Sequence, residues 1–176
     1  MPLPPNGLST TSSFSLIIWG FCLTHHVKIM CKLTDWLKPP AALVEYEMTR
    51  DDLLSLIRIP YPKALVFLDD KRYYYVSHVD WGKVIRDVLL NMPAYLTDKF
   101  DCENVSNVCR CRTSSIYKLN TMGEAVGPSP WGYHAFNLFV SDIDGEPKLF
   151  ILEPQTSDIY TVEEDSGYFV DRLVIG

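Results

Sequence analysis

The stretch 99–107, KFDCENVSN, sets a cysteine between two carboxylates and an amide, where a polar run gives way to apolar periodicity. Val105, Val108 and Cys109 follow Cys102 at three, six and seven positions, on or near one helical face. Asp101, or the residue before it, can cap that helix. In a first turn, unpaired backbone N–H groups and the macrodipole favour an anion, and thiol pKa values of about 3.5–7.5 are known for such settings. Asp101 and Glu103 oppose thiolate formation unless they point away or are neutralised. The plainer reading of Cys102 is packing, and position alone leaves both open.

A nucleophilic thiol needs a base, and the base needs an orienting group. The four histidines are His25, His26, His78 and His134, and only His134 falls in the C-terminal part that reads as β-structure. It opens the apolar run HAFNLFV beside a Gly/Pro loop, so its side chain can face a cleft. Asp142-Ile143-Asp144-Gly145 is a turn, with Asp144-Gly145 a strong hairpin signal, and KLFILE, ending at Glu153, is the returning strand. A four-residue loop sets His134 opposite Glu153. A two-residue loop sets it opposite Gln155, with Glu153 a diagonal neighbour. Side chains alternate with period two, so both registers keep His134, Glu153 and Gln155 on one face. A carboxylate beside an imidazole fixes its tautomer and stabilises the imidazolium.

The elements that must position these groups run in a simple order. A short helix is expected between Cys31 and Leu37, and a second after Thr49, with acids in its first turn and a Leu/Ile stripe stopping at Pro60. Ala64–Leu68 and Tyr73–Ser77 read as a β-hairpin turning at Asp69-Asp70-Lys71. Asp80–Leu90 has helical spacing with Asp80 as cap. Gly127–Gly132 reads as loop, and Asp158–Val162 and Tyr168–Val174 as two further strands. Helices first and an antiparallel sheet after define an α+β domain.

At 176 residues the chain suits one domain, divided as an arm over 1–30 and a domain over 31–176. With 47% apolar and 22% charged residues it has globular composition. A net charge of −6, without a basic cluster, argues against nucleic acid as partner. The five cysteines (Cys22, Cys31, Cys102, Cys109, Cys111) do not fit a disulfide framework, and a zinc site joining Cys109 and Cys111 to His25, His26 and Cys31 lacks the usual spacing. The apolar run Phe14–Leu23 is too short to span a bilayer and lacks the basic n-region of a signal peptide. An unusual export signal, an over-extended start before Met30 and a loosely packed arm all remain open, with a cytoplasmic location favoured over a secreted one.

The order of motifs resembles the transglutaminase-like and papain-like cysteine peptidase superfamily. Phe-Asp-Cys-Glu-Asn is similar to that superfamily's helix start, His-Ala-Phe to its strand start, and Glu-Pro-Gln-Thr to its acid-Pro strand end. The nearest likeness is the C-terminal cysteine-protease domain of the mushroom agglutinins, over roughly Tyr95 to Tyr160. The resemblance implies a papain/transglutaminase-like fold and a Cys-His-Glu triad with Cys102 as nucleophile, His134 as acid and base, and Glu153 as orienter. It also implies Ca2+ near the cleft, with Glu103, Asn104 and Gln155 as oxygen ligands. Val105-Ser106 replaces the family's usual aromatic-Ala, and the Cys-to-His interval is short. On this reading the chain is a thiol hydrolase cleaving a peptide or protein substrate through an acyl-enzyme. The alternatives are a non-catalytic metal- or carbohydrate-associated binding module with the same fold, and amide transfer of transglutaminase type.

Overall fold

The computed structural model describes residues 42–162 and 167–176. The expected arm, the helix at Cys31–Leu37 and the zinc candidates His25, His26 and Cys31 lie outside these residues. Within them, eight strands and three α-helices form a mixed, predominantly β structure. Strand β1 (Glu45–Thr49) leads directly into α1 (Arg50–Arg58). Thr49 caps α1: its hydroxyl accepts the Asp52 N–H at 3.2 Å, and the Asp52 carboxylate accepts the Thr49 N–H at 3.2 Å. That reciprocal pair is a capping box. Leu53 and Ile57 form the buried stripe.

Strands β2 (Leu65–Leu68) and β3 (Arg72–Ser77) do not form the expected hairpin. β2 pairs in parallel with the last strand, β8 (Arg172–Ile175), while β3 pairs antiparallel with β1 and in parallel with β5. Arg50 explains the divergence. Its side chain donates to the Asp69 and Asp70 carbonyls at 3.0 and 2.8 Å, and its N–H donates to the Lys71 carbonyl at 3.1 Å. The connection is thus tied to the start of α1, and the strands leave it for different neighbours. Helix α2 (His78–Leu89) is capped by Ser77, whose hydroxyl accepts from the Asp80 N–H. The cap therefore sits three residues before the expected Asp80. Trp81, Val84, Ile85 and Val88 are its buried side.

Helix α3 (Cys102–Arg112) runs into a single π-helical turn, Thr113–Tyr117, closed by Lys118 in the left-handed region. Strands β4 (Gly123–Ser129) and β5 (Gly132–Ile143) follow as a hairpin, so the expected 127–132 loop is largely strand. β6 (Glu146–Glu153) pairs antiparallel with β5, and β7 (Asp158–Thr161) with β6. The sheet order is β1-β3-β5-β4-β8-β2, with β6 and β7 extending from the other edge of β5. The sheet is mixed rather than antiparallel. Alternation along β5 serves two cores: Phe136, Leu138 and Val140 join the cluster containing Leu53 and Ile57 of α1, and Phe139 joins the cluster containing Trp81 of α2 and Cys109 of α3.

Candidate functional site

Residue Asp101 is the extended N-cap of α3, and its N–H donates to the Asn104 side-chain oxygen at 3.2 Å. Glu103 occupies the first turn, and Arg110 and Arg112 the last, each favourable against the helix dipole. The buried face is Val105, Ser106 and Cys109. The Ser106 hydroxyl donates to the Phe136 carbonyl at 2.9 Å, and the Asn137 amide donates to the carbonyls of Ser106 at 2.9 Å and Gly123 at 3.0 Å. These bonds tie α3 to β5 and β4. Ser106 sits at Phe136 and Cys109 clusters with Phe139, so helix and strand run the same way.

The β5–β6 connection is the two-residue loop Asp144-Gly145, with φ of 55° and 88°, between the paired Ile143 and Glu146. Both positive angles suit a primed turn matching strand twist. This register makes Glu153 the diagonal neighbour of His134, and His134 Nε2 lies 2.9 Å from Glu153 Oε2. Glu153 is fully buried, and its other oxygen accepts the Gln155 N–H at 3.2 Å. Tyr168 supplies a third hydrogen bond to this carboxylate, and burial followed by the Glu153 charge pushes its phenol well above the usual range. Tyr168 is itself held edge-on to Phe136 at 4.9 Å and against Tyr160 at 5.6 Å. A buried carboxylate needs such partners to stay charged.

The contact between Nε2 and the carboxylate fixes the orientation of the ring. His134 is itself buried, at 9% exposure, and no hydrogen bond is made to its Nδ1 among the described residues. Trp131, at the tip of the β4–β5 hairpin, stands edge-on to the imidazole at 5.8 Å and 74°, and is 54% exposed. The tip is fixed by Ser129, whose hydroxyl accepts the Trp131 N–H at 3.1 Å and donates to the Gly132 carbonyl at 3.0 Å. Gly127 pairs across from His134, and a Cβ there would lie 2.1 Å from the Phe169 carbonyl oxygen. Glycine is required because the backbone before β8 runs close alongside β4 there, with Phe169 and Asp171 donating to the Pro128 and Val126 carbonyls.

The residues singled out in the sequence are thus partly gathered. His134 and Glu153 meet. Cys102 is half-buried at the start of α3, and its thiol makes no hydrogen bond among the described residues, to His134 or otherwise. Cys109 is buried, and burial above all pushes its thiol up to about 12. Of the expected calcium ligands, Glu103 and Gln155 are exposed, and the Asn104 oxygen already serves the Asp101 N–H. No group of three or more His, Cys, Asp or Glu side chains that could hold a metal occurs among the described residues. Trp131 and Tyr168 were not singled out. A tryptophan in a Pro/Gly turn is a readable signal, whereas the reach of Tyr168 to Glu153 has no local signature.

No protein-family model matches the chain, and no curated protein matches it. Among solved structures, a PSL1a–E64 complex matches with a TM-score of 0.59 at 16% identity, covering 73% of this chain and 51% of that one. A Polyporus squamosus lectin bound to the human-type influenza-binding epitope Neu5Aca2-6Galb1-4GlcNAc matches at 0.55 and 17%, covering 73% and 49%. The chain therefore spans about half the length of these structures, and the likeness shows a shared fold. These findings correct the expectation of a cysteine peptidase and hydrolase: the fold's neighbours are structures of a lectin, and one holds an oligosaccharide. The papain-like assignment, the peptide substrate and the metal-binding label fall with it. A motif order specifies a placement of residues; activity belongs to the finished site.

Proposed function

We propose that this chain is a non-catalytic, carbohydrate-associated binding module whose ligand face lies at the Trp131 end of β5. One observation carries the reading. A half-exposed indole stands edge-on to a buried imidazole whose Nε2 is locked to a buried carboxylate. A saccharide has a C–H face and a hydroxyl rim, so an aromatic surface beside a fixed hydrogen-bonding group complements both. The fold likeness to an oligosaccharide-binding lectin supports the same reading. Within it, His134 is the contact group, Glu153 its positioning residue, and Cys102 part of the wall contributed by the start of α3. No helix among the described residues is long and apolar enough to cross a membrane.

Immobilised neutral and sialylated oligosaccharides test the reading. The parent chain should be retained on at least one of them, and Trp131→Ala should lower its affinity at least about tenfold, the cost of one well-packed aromatic contact. Retention on none overturns the proposal.

A further inference from the structure

Among the described residues the sheet ends in three strands with one neighbour each: β1 pairs only with β3, β7 only with β6, and β2 only with β8. A bare edge is a template for another strand unless charge, proline or a bulge blunts it. β1 carries Glu45 and Glu47, and β7 carries Asp158. β2 reads Leu-Val-Phe-Leu without a charge, and Leu65 and Phe67 are 57% and 46% exposed. The backbone shows which groups lie along that edge. The Leu65 and Asp69 N–H groups donate to the Asp171 and Ile175 carbonyls on the β8 side, so the alternate residues Ala64, Val66, Leu68 and Asp70 face outward. At both ends the chain's own side chains serve these outward groups. Arg58 donates to the Ala64 carbonyl at 2.7 Å. Arg50 donates to the Asp70 carbonyl at 2.8 Å, and the Asp70 N–H donates to the Tyr73 hydroxyl at 2.9 Å. Between these caps, the outward N–H and C=O groups of Val66 and Leu68 have no hydrogen bond among the described residues.

We infer that this edge takes β2 of a second copy of the chain, antiparallel and with the twofold axis at Phe67, joining two sheets into one. Two donors and two acceptors in alternation complement another extended strand, and a copy of β2 presents the same four groups. In this register each Val66 exchanges both backbone bonds with Leu68 of the second copy, so all four groups on each chain are satisfied. Phe67 meets Phe67 at the closer, non-hydrogen-bonded position, where exposed apolar side chains bury one another. Lys63 before the strand and Asp69 after it have opposite charges, so antiparallel copies set each Lys63 diagonal to the other's Asp69, and parallel copies set like with like. The window is two residues wide, so the dimer is a weak, concentration-dependent one.

Sedimentation velocity and amide hydrogen exchange on the full chain, each from dilute to near-millimolar protein, test this. The parent should pass from monomer to dimer as concentration rises. Exchange at Val66 and Leu68 should slow in step, while the Leu65 and Phe67 amides, turned toward β8, stay slow throughout. Phe67→Lys sets like charges opposite each other across the axis and should raise the dimer's dissociation constant at least about tenfold, with the unfolding temperature of the dilute protein unchanged. Val66→Pro removes an outward donor, leaves the bonds to β8 in place, and should weaken the dimer likewise. A monomer at every concentration overturns the inference, and so does a dimer that Phe67→Lys leaves unchanged. Slow exchange at Val66 and Leu68 in the monomer also overturns it, because another stretch of the same chain then covers the edge.

Discussion

Strand β5 has two ends built to opposite specifications. Around Phe139 and Val140 it is closed on both faces, with Trp81 tilted against Phe139 at 4.8 Å and donating its indole N–H to the Val140 carbonyl at 2.7 Å. At its start it is more open: Tyr133 is 69% exposed, the half-exposed Trp131 flanks the buried His134 imidazole, and that imidazole meets a buried carboxylate with its partners in place. One end uses its aromatics to exclude water, and the proposed ligand face lies at the other. Stability and recognition are therefore separable along a single strand, and substitutions at the two ends should move different measurements.

The largest effect is expected at the closed end. Trp81→Ala removes a fully buried indole and leaves the Val140 carbonyl without its donor, and should cost about 3–5 kcal/mol in urea unfolding. A loss as small as a surface substitution would show that the closed end is not the stabilising one. Gly127→Ala comes next, because the new Cβ meets backbone rather than a side chain that can swing aside. It should cost about 1–3 kcal/mol and weaken saccharide binding as well, since Gly127 stands across from His134.

Alkaline unfolding gives the third contrast. Burial, the largest cause for each, raises Tyr61, Tyr117 and the Cys109 thiol to about 12, from 10.0 for the phenols and 9.0 for the thiol. The unfolded chain loses these protons first, so their stabilising contribution is complete below pH 9 and disappears as pH climbs toward 12. The unfolding temperature should fall steadily across that window, and Cys109→Ala should flatten its lower part. Smallest of all in stability is Trp131→Ala, expected within about 0.5 kcal/mol of the parent while binding is lost. Equal thermal shifts for Trp81→Ala and Trp131→Ala would erase the distinction between the ends.

Local chemistry was legible where it is self-contained. The Thr49 cap, the Asp101 helix start and the Asp144-Gly145 turn each involve residues within a few positions, and the turn put His134 and Glu153 on one face. What the sequence hid depends on distant partners. Asp69-Asp70-Lys71 looks like a hairpin turn, and nothing nearby reveals that Leu65–Leu68 will pair with Arg172–Ile175 instead. Gly127-Pro128 reads as loop because its glycine serves the close approach of Phe169, a pairing partner far along the chain. The strand at Glu45–Thr49 was missed because its short EYEMT pattern merges with the helix cap. The peptidase reading failed for a related reason. Three short motifs in order describe where residues sit, and they do not say what the completed cleft contacts.

The pairing of β2 with β8 also sets a schedule. Among the described residues β8 is the only sheet partner of β2, and it lies at the opposite end of the folded segment. Until Arg172 leaves the ribosome, Leu65 and Phe67 wait on an unpaired strand, and both stay half-exposed even afterwards. A bare apolar strand is the species that recruits other chains. Expression yield should therefore depend on how quickly Arg172–Ile175 closes the sheet, and deleting that strand should send the protein to the pellet.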